Sequence, residues 1–181
     1  MQNGRVHPAS EDNDMLLAWV LGWSELVAFG ALLSAFLVAG YVQPAAFAEG
    51  RGHLALWYPL LNTVILLSSG WCAAKAACYP TGAPKQRTAL VGAAAGGFAF
   101  TAVKIAEYLR ELPHLSDERL ETFNQLYFLT TGFHLVHVIF GSLVLIVVAC
   151  RPGRENVAII TTLWHVIDIV WLVMFPVVYA I

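Results

Sequence analysis

Seven ionisable side chains lie inside long apolar stretches of this 181-residue sequence. They are Glu25, Lys104, Glu107, His134, His137, His165 and Asp168. Histidines and carboxylates in such positions can bind a metal or haem, carry protons, or hydrogen-bond between helices. Which of these they do depends on the helices that hold them and on whether they converge.

Six of the seven residues form pairs with a spacing of three positions. The pairs are Lys104 and Glu107, His134 and His137, and His165 and Asp168. Residues three apart lie on the same face of a helix. In the segment "TTLWHVIDIVWLVMFP", Trp164 and Trp171 also share the face of Asp168. The spacing therefore predicts that these side chains interact in pairs.

The composition indicates an integral membrane protein. Hydrophobic residues make up 59% of the chain, charged residues 12%, and the mean hydropathy is +0.67. Soluble domains average about 45–50% apolar and about 25% charged residues. The net charge of −2, without a basic cluster, argues against nucleic acid as a partner. Cys72, Cys78 and Cys150 have neither disulfide nor metal-binding spacing, and we expect them to pack as small apolar residues.

Five continuous apolar stretches are long enough to cross a bilayer as helices. They cover residues 15–42, 54–79, 88–110, 124–150 and 157–181. Short segments rich in proline, glycine and charge separate them, and the first is "QPAAFAEGRGH". Residues 1–181 are therefore predicted to form one all-α domain, an integral membrane bundle of five transmembrane helices.

The basic residues at the two ends of the bundle predict its orientation. The side of the N-terminus carries six of them: Arg5, Lys75, Lys85, Arg87, Arg151 and Arg154. The opposite side carries three: Arg51, Arg110 and Arg119. The positive-inside rule then places the N-terminus in the cytoplasm and the C-terminus outside.

Depth in the membrane follows from a rise of about 1.5 Å per residue. Five of the ionisable residues fall near the bilayer midplane: Glu25, His134, His137, His165 and Asp168. Lys104 and Glu107 fall toward the outer end of their helix. A charge at the helix centre costs about 2.5–3.5 kcal/mol on insertion scales. We therefore expect all seven side chains to face the bundle interior and to have partners.

Three functions remain open for these residues. In the first, Lys104, Glu107, His134, His137, His165 and Asp168 form a structural polar belt that joins the helices by hydrogen bonds. In the second, the histidines bind a metal or haem, although the sequence has no HExxH or ExxH motif. In the third, Glu25 handles protons, because a lone carboxyl in hydrocarbon stays neutral until a proton path reaches it.

The third apolar stretch begins with a pair of glycines at the spacing typical of close helix contacts. Gly92 and Gly96 form a small-xxx-small pattern in "LVGAAAGGFAF". Such a face lets two helix backbones approach closely in lipid. We predict that Gly92 and Gly96 have a packing role.

Motifs in all five stretches resemble the subunit III family of haem-copper oxidases. In chain order they are "GWSELVAFGALLSAF", "LLNTVILLSSG", "KIAEYL", "TTGFHLVHVIFGS" and "LWHVIDIVWLVMF". The last two are the most specific, since they resemble the family's Thr-Gly-Phe-His-x-x-His and Trp-His-x-x-Asp-x-x-Trp signatures.

The resemblance implies a non-catalytic subunit that binds no haem, copper or other metal. Such a subunit stabilises the haem-copper catalytic subunit and supports proton uptake, and Glu25 stands at the position of the family's buried carboxylate. The resemblance also implies structural pairing of His165 with Asp168. We further expect the indoles of Trp164 and Trp171 to pack around Asp168 and donate to it. The alternative is a self-contained membrane enzyme with haem or metal bound to the histidines.

The chain resembles two branches of the family. Its short five-helix form, the pair Lys104 and Glu107, and the ending "FPVVYAI" are most similar to the subunit associated with nitric oxide reductase. Ser24 followed by Glu25 is more similar to the oxidase branch. Longer members carry two further N-terminal helices that form a lipid-holding cleft, so the resemblance leaves open whether phospholipid binds here. It implies a location in the bacterial cytoplasmic membrane.

Overall fold

The structure is a computed structural model that describes residues 8–113 and 117–181, with side chains from residue 22 onward. Within these ranges the chain is helical and has no strand. The six α-helices are α1 Pro8–Val42, α2 Pro44–His53, α3 Trp57–Cys78, α4 Pro84–Glu111, α5 Glu121–Cys150 and α6 Arg154–Tyr179. A short 3-10 helix, Glu118–Leu120, precedes α5.

Five of these helices are long and apolar enough to cross a membrane, which confirms the predicted all-α membrane bundle. The spanning segments are Gly22–Val42, Trp57–Cys78, Pro84–Glu111, Glu118–Cys150 and Arg154–Tyr179. Their ends agree with those of the predicted stretches to within two residues at the C-terminal side and to within seven at the N-terminal side. The agreement follows from the continuous apolar runs, which only a helix can hold across a bilayer.

The connection between the first two spans was predicted to be a polar turn, and this prediction is wrong. The segment forms the ten-residue helix α2. Pro44 occupies the first turn, where its missing N–H has no helical partner to lose. Arg51 and His53 lie in the last turn, where positive charge is favourable. The helix holds to the bundle through the buried Phe47, which contacts Phe36 at 5.1 Å and Phe123 at 5.3 Å between ring centroids.

An ion pair joins α2 to the connection between α4 and α5. Arg119 Nη2 lies 3.7 Å from Glu49 Oε1 and 3.1 Å from Asp117 Oδ2. Hydrogen bonds from Arg119 hold the pKa of Asp117 below its usual range. This surface group therefore keeps its negative charge at neutral pH.

The spanning helices pack in a consistent order. Helix α3 lies along α4, α4 lies along α5, and α6 packs against both α3 and α5. Helix α1 covers α5 and α6. The core at their centre is rich in aromatic residues, and Trp164 and Trp171 of α6 are fully buried in it.

Small residues set the close approach of α3 and α4. A Cβ placed on Gly96 would lie 2.6 Å from Cβ of Ser69, whereas a Cβ on Gly92 would meet Sγ of Cys72 at an ordinary 3.5 Å. Ser69 fixes the contact by donating from Oγ to the carbonyl of Ala93 at 2.7 Å. The structure thus places both glycines toward α3, with the closer contact at Gly96.

Candidate functional site

The seven ionisable residues divide into separate groups instead of one continuous belt. Lys104 and Glu107 form a buried pair, and Glu25 of α1 meets His137 of α5. His165 and Asp168 form a looser pair on α6. His134 pairs with none of them.

The buried pair lies where α4, α5 and α6 meet. Lys104 Nζ is 3.0 Å from Glu107 Oε2, and both side chains are almost completely buried. Tyr127 and Tyr179 each donate from the phenol to Glu107 Oε1 at 2.7 Å. Lys104 also donates to Tyr127 at 3.1 Å and to Tyr179 at 2.5 Å. A single carboxylate is thus hydrogen-bonded from three helices.

Aromatic rings complete the surroundings of Lys104. Its ammonium lies 4.8 Å from the ring centroid of Tyr127, 4.9 Å from that of Tyr108 and 5.3 Å from that of Tyr179. Rings at these distances attract a cation through their quadrupole. Tyr127 and Tyr179 were not among the predicted site residues, because they lie 20 and 72 positions from Glu107. Tyr127 precedes His134 by two helical turns, and this spacing is the one sequence signal for it.

Glu25 and His137 form a close polar contact between α1 and α5. Nε2 of His137 lies 2.9 Å from Oε2 of Glu25. Nδ1 of His137 lies 2.7 Å from the carbonyl of Phe133, and since a carbonyl can only accept, Nδ1 is the donor of that hydrogen bond. The two side chains are 22% and 25% exposed, but Oε2 of Glu25 is itself buried.

The His165 and Asp168 pair is less close. Nδ1 of His165 lies 3.6 Å from Oδ2 of Asp168, which is beyond hydrogen-bond distance. The Asp168 side chain is 9% exposed and lies against the backbone of α3, since a Cβ on Gly70 would overlap its Oδ2. Its Oδ1 is buried and has no hydrogen-bond partner in the described chain. The His165 side chain is 42% exposed, and its Nδ1 lies toward Asp168 and Gly70 of α3, so the residue is only partly inside the bundle.

The prediction that Trp164 and Trp171 donate to Asp168 is wrong. Nε1 of Trp164 donates to Ser69 at 3.1 Å, and Nε1 of Trp171 donates to Thr63 at 3.0 Å. Both hydroxyls give their own proton to a backbone carbonyl of α3 or α4, which leaves a lone pair for the indole. The indoles therefore join α6 to α3.

His134 is enclosed by rings. It is fully buried, and neither ring nitrogen has a hydrogen-bond partner among the described residues. Its imidazole stacks on Trp171 at 5.5 Å and meets the edges of Phe29 at 5.9 Å and Phe100 at 5.6 Å. The prediction that each of these side chains has a polar partner is wrong for His134, because aromatic contacts replace hydrogen bonds there.

These positions bear directly on metal ligation. Among the side chains that the structure describes, no three of His, Cys, Asp or Glu are arranged to hold a metal ion. His134 and His137 share a helix, but His137 turns to Glu25 while His134 turns to Trp171. The histidines that the spacing suggested as joint ligands therefore face different partners.

A bundle of five spanning helices with paired ionisable groups inside defines a polytopic integral membrane protein. The family model described as "Cytochrome c oxidase subunit III" matches residues 24–181. The chain therefore belongs to the subunit III family of haem-copper oxidases.

Several relatives cover most of the chain. "Cytochrome c oxidase subunit 3" of Synechocystis sp. is 31% identical over 87% of this chain and 71% of its own length. The protein of the same name from Thermostichus vulcanus is 30% identical over 87% of this chain and 82% of its own length. That of Corynebacterium diphtheriae is 28% identical with the same two shares of coverage.

Proposed function

We propose that the chain is a non-catalytic accessory subunit of a haem-copper oxidase or nitric oxide reductase in a respiratory electron transport chain. In this proposal it binds the haem-copper catalytic subunit and stabilises it, and it holds no haem, copper or other metal of its own. Family membership supports the role, since the matched relatives are named as subunits of cytochrome c oxidase.

The arrangement of the ionisable groups carries the non-catalytic part of the proposal. A metal or haem enzyme needs several ligands that converge on one point. Here Lys104 and Glu107 neutralise each other, His137 meets Glu25, and His134 is closed in by rings. These contacts favour an accessory subunit over a self-contained enzyme that uses the histidines.

The proton-related part of the proposal rests on Glu25. Its carboxyl lies 2.9 Å from the imidazole of His137, and about a quarter of each side chain is exposed. A carboxyl beside an imidazole is a pair of groups that can exchange protons, which suits a role beside a neighbouring subunit. We propose that Glu25 assists proton uptake by the complex.

Two catalytic partners fit this role. The names of the relatives favour an oxidase. The Lys104 and Glu107 pair favours a nitric oxide reductase, which would place the protein in denitrification. Membrane phospholipid is the further ligand that we propose for the bundle.

The proposed location is the bacterial cytoplasmic membrane, with the N-terminus in the cytoplasm and the C-terminus outside. The excess of basic residues on the N-terminal side, six against three, supports this orientation.

Purification of the tagged chain in mild detergent tests the proposed function. We expect a haem-copper catalytic subunit to co-purify, and mass spectrometry then identifies it as an oxidase or a nitric oxide reductase. The chain released from this complex should be colourless and free of stoichiometric metal. A Soret band or about one metal ion per released chain, lost in His134→Ala or His165→Ala, would instead support the self-contained enzyme.

A further inference from the structure

The side chain of His165 is partly exposed near the middle of α6, where hydrocarbon offers it no hydrogen-bond partner. It lies eleven residues after Arg154 and fourteen before Tyr179, the two ends of α6. At about 1.5 Å per residue it is about 16 Å from one end of the helix and about 21 Å from the other. Its side chain is nevertheless 42% exposed. Lipid headgroups and bulk water lie too far away to satisfy it.

Other exposed polar side chains of the spans are satisfied by their own helix. Ser34 donates to the carbonyl of Gly30 at 2.7 Å, Ser68 to that of Val64 at 2.8 Å, and Thr162 to that of Ala158 at 2.9 Å. An imidazole cannot fold back in this way, and His165 forms no hydrogen bond within the described chain. Facing hydrocarbon, it would leave a polar group unsatisfied, which costs several kcal/mol in lipid.

Asp168 supplies a second unsatisfied group at the same place. It lies one helical turn from His165, its side chain is nine-tenths buried, and its Oδ1 has no hydrogen-bond partner among the described residues. A buried carboxylate oxygen without a donor is uncommon in native proteins. Asp168 is enclosed between α6 and α3, so His165 is the member of the pair that is open to a partner from outside the chain.

The orientation of the imidazole indicates which kind of group would complete the site. Nδ1 of His165 faces the carboxylate of Asp168, so a neutral ring with its proton on Nδ1 leaves Nε2 as an acceptor. Nε2 then needs a donor. A hydroxyl, amide or indole N–H fits this requirement. A lipid acyl chain has no hydrogen-bond donor and does not fit it.

We infer that His165 is a docking point for a transmembrane helix of the catalytic subunit that presents a hydrogen-bond donor at mid-membrane depth. This inference rests on the proposed function. The surrounding surface of α6 suits a helix as partner, because Ile169 and Leu172 are exposed and apolar beside the polar pair. Interhelical hydrogen bonds within apolar contact surfaces are a common means of joining membrane helices.

Photo-crosslinking in the intact complex tests this contact. A benzophenone amino acid replaces Ile169, which is 53% exposed and one turn beyond His165. The same group at Phe140, 66% exposed on α5, serves as the matched control. We expect an adduct with the catalytic subunit from position 169 and little from position 140. Equal adducts from both positions, an adduct only with a second copy of this chain, or none at all from position 169 would overturn the inference.

Substitution of His165 gives an independent measurement. His165→Leu removes the acceptor and puts an apolar side chain on a lipid-facing surface, so the chain itself should melt at the same or a higher temperature. The amount of catalytic subunit retained on the tagged chain should nevertheless fall roughly fivefold, as expected for the loss of one interhelical hydrogen bond. His165→Gln retains an acceptor and should keep most of the complex, and Phe140→Leu should keep all of it.

The outcomes separate this inference from the proposed function. If the wild-type chain retains no catalytic subunit, the proposed function fails. If the wild type retains it and His165→Leu retains as much, only the docking point is wrong. Retention lost together with the chain's own thermal stability would assign His165 to the internal structure of the bundle, which also overturns the docking role.

Discussion

Lys104 and Glu25 represent two ways of holding a charged group inside a membrane bundle. Lys104 is fully buried and has an opposite charge, two phenols and several rings around it. Glu25 is a quarter exposed and has one imidazole as its partner. The first arrangement fixes a structure, because each group depends on the others, whereas the second consists of a single polar contact between α1 and α5.

Removing one member of the buried pair should destabilise the bundle strongly. Lys104→Met leaves Glu107 uncompensated in a fully buried site, and such a change costs about 3–5 kcal/mol. The double variant Lys104→Met with Glu107→Gln leaves no charge, and Gln still accepts from the tyrosines. Thermal melting in detergent should therefore show a lower midpoint for the single variant and recovery in the double variant. Equal losses in both would show that the charges do not depend on each other.

Glu25→Gln should preserve folding and assembly, since an amide can also contact His137, but it cannot give up a proton. If Glu25 assists proton uptake, turnover of the complex carrying this variant should be slower or less durable, with a changed dependence on pH. Steady-state activity of the purified complex against pH, for wild type and variant, measures this. Identical profiles and lifetimes would leave Glu25 as a structural contact.

Sequence spacing predicts contacts within a helix better than contacts between helices. The pairing of Lys104 with Glu107 follows from their separation along α4. The two tyrosines that bind Glu107 do not, because tertiary packing alone brings α5 and α6 to it. The same reason explains why the indole donors were assigned to Asp168, whereas the hydroxyls of α3 were nearer.

At the scale of the helices, length and apolar content were sufficient to predict the spans, because a bilayer permits few other structures. They could not predict α2, which is too short to span and is stabilised by the contact of Phe47 with two rings from distant parts of the chain. The glycine pattern likewise predicted a packing face. It could not predict that Gly96 lies closer to α3 than Gly92 does, because this depends on the residues of α3 that lie opposite, Ser69 and Cys72.

That difference leads to a prediction for the contact of α3 with α4. Gly96→Ala forces a methyl group against Ser69 and should lower stability by about 1–3 kcal/mol, the range typical of overpacking. Gly92→Ala meets only Sγ of Cys72 at van der Waals distance and should be tolerated. Thermal melting of the two variants compares them. A Gly96→Ala bundle that melts like wild type would show that α3 and α4 can separate at no cost.

At the scale of the whole molecule, the five spans among the described residues predict termini on opposite sides of the membrane. The distribution of basic residues predicts that Ile181 lies outside. A reporter active only outside the cytoplasm should therefore work when fused at Ile181 and also in the loop at Arg51. Activity at Arg51 together with inactivity at Ile181 would contradict five spans, and inactivity at both would indicate the reverse orientation.

The central claim is that this chain stabilises a haem-copper catalytic subunit without contributing a redox centre. Purifying the complex with and without this chain, and measuring haem content and thermal stability of the catalytic subunit, tests the claim most directly. We predict the same haem content per catalytic subunit in both preparations and a lower melting temperature when the chain is missing. A haem content that falls in proportion to the missing chain, or an unchanged melting temperature, would contradict it.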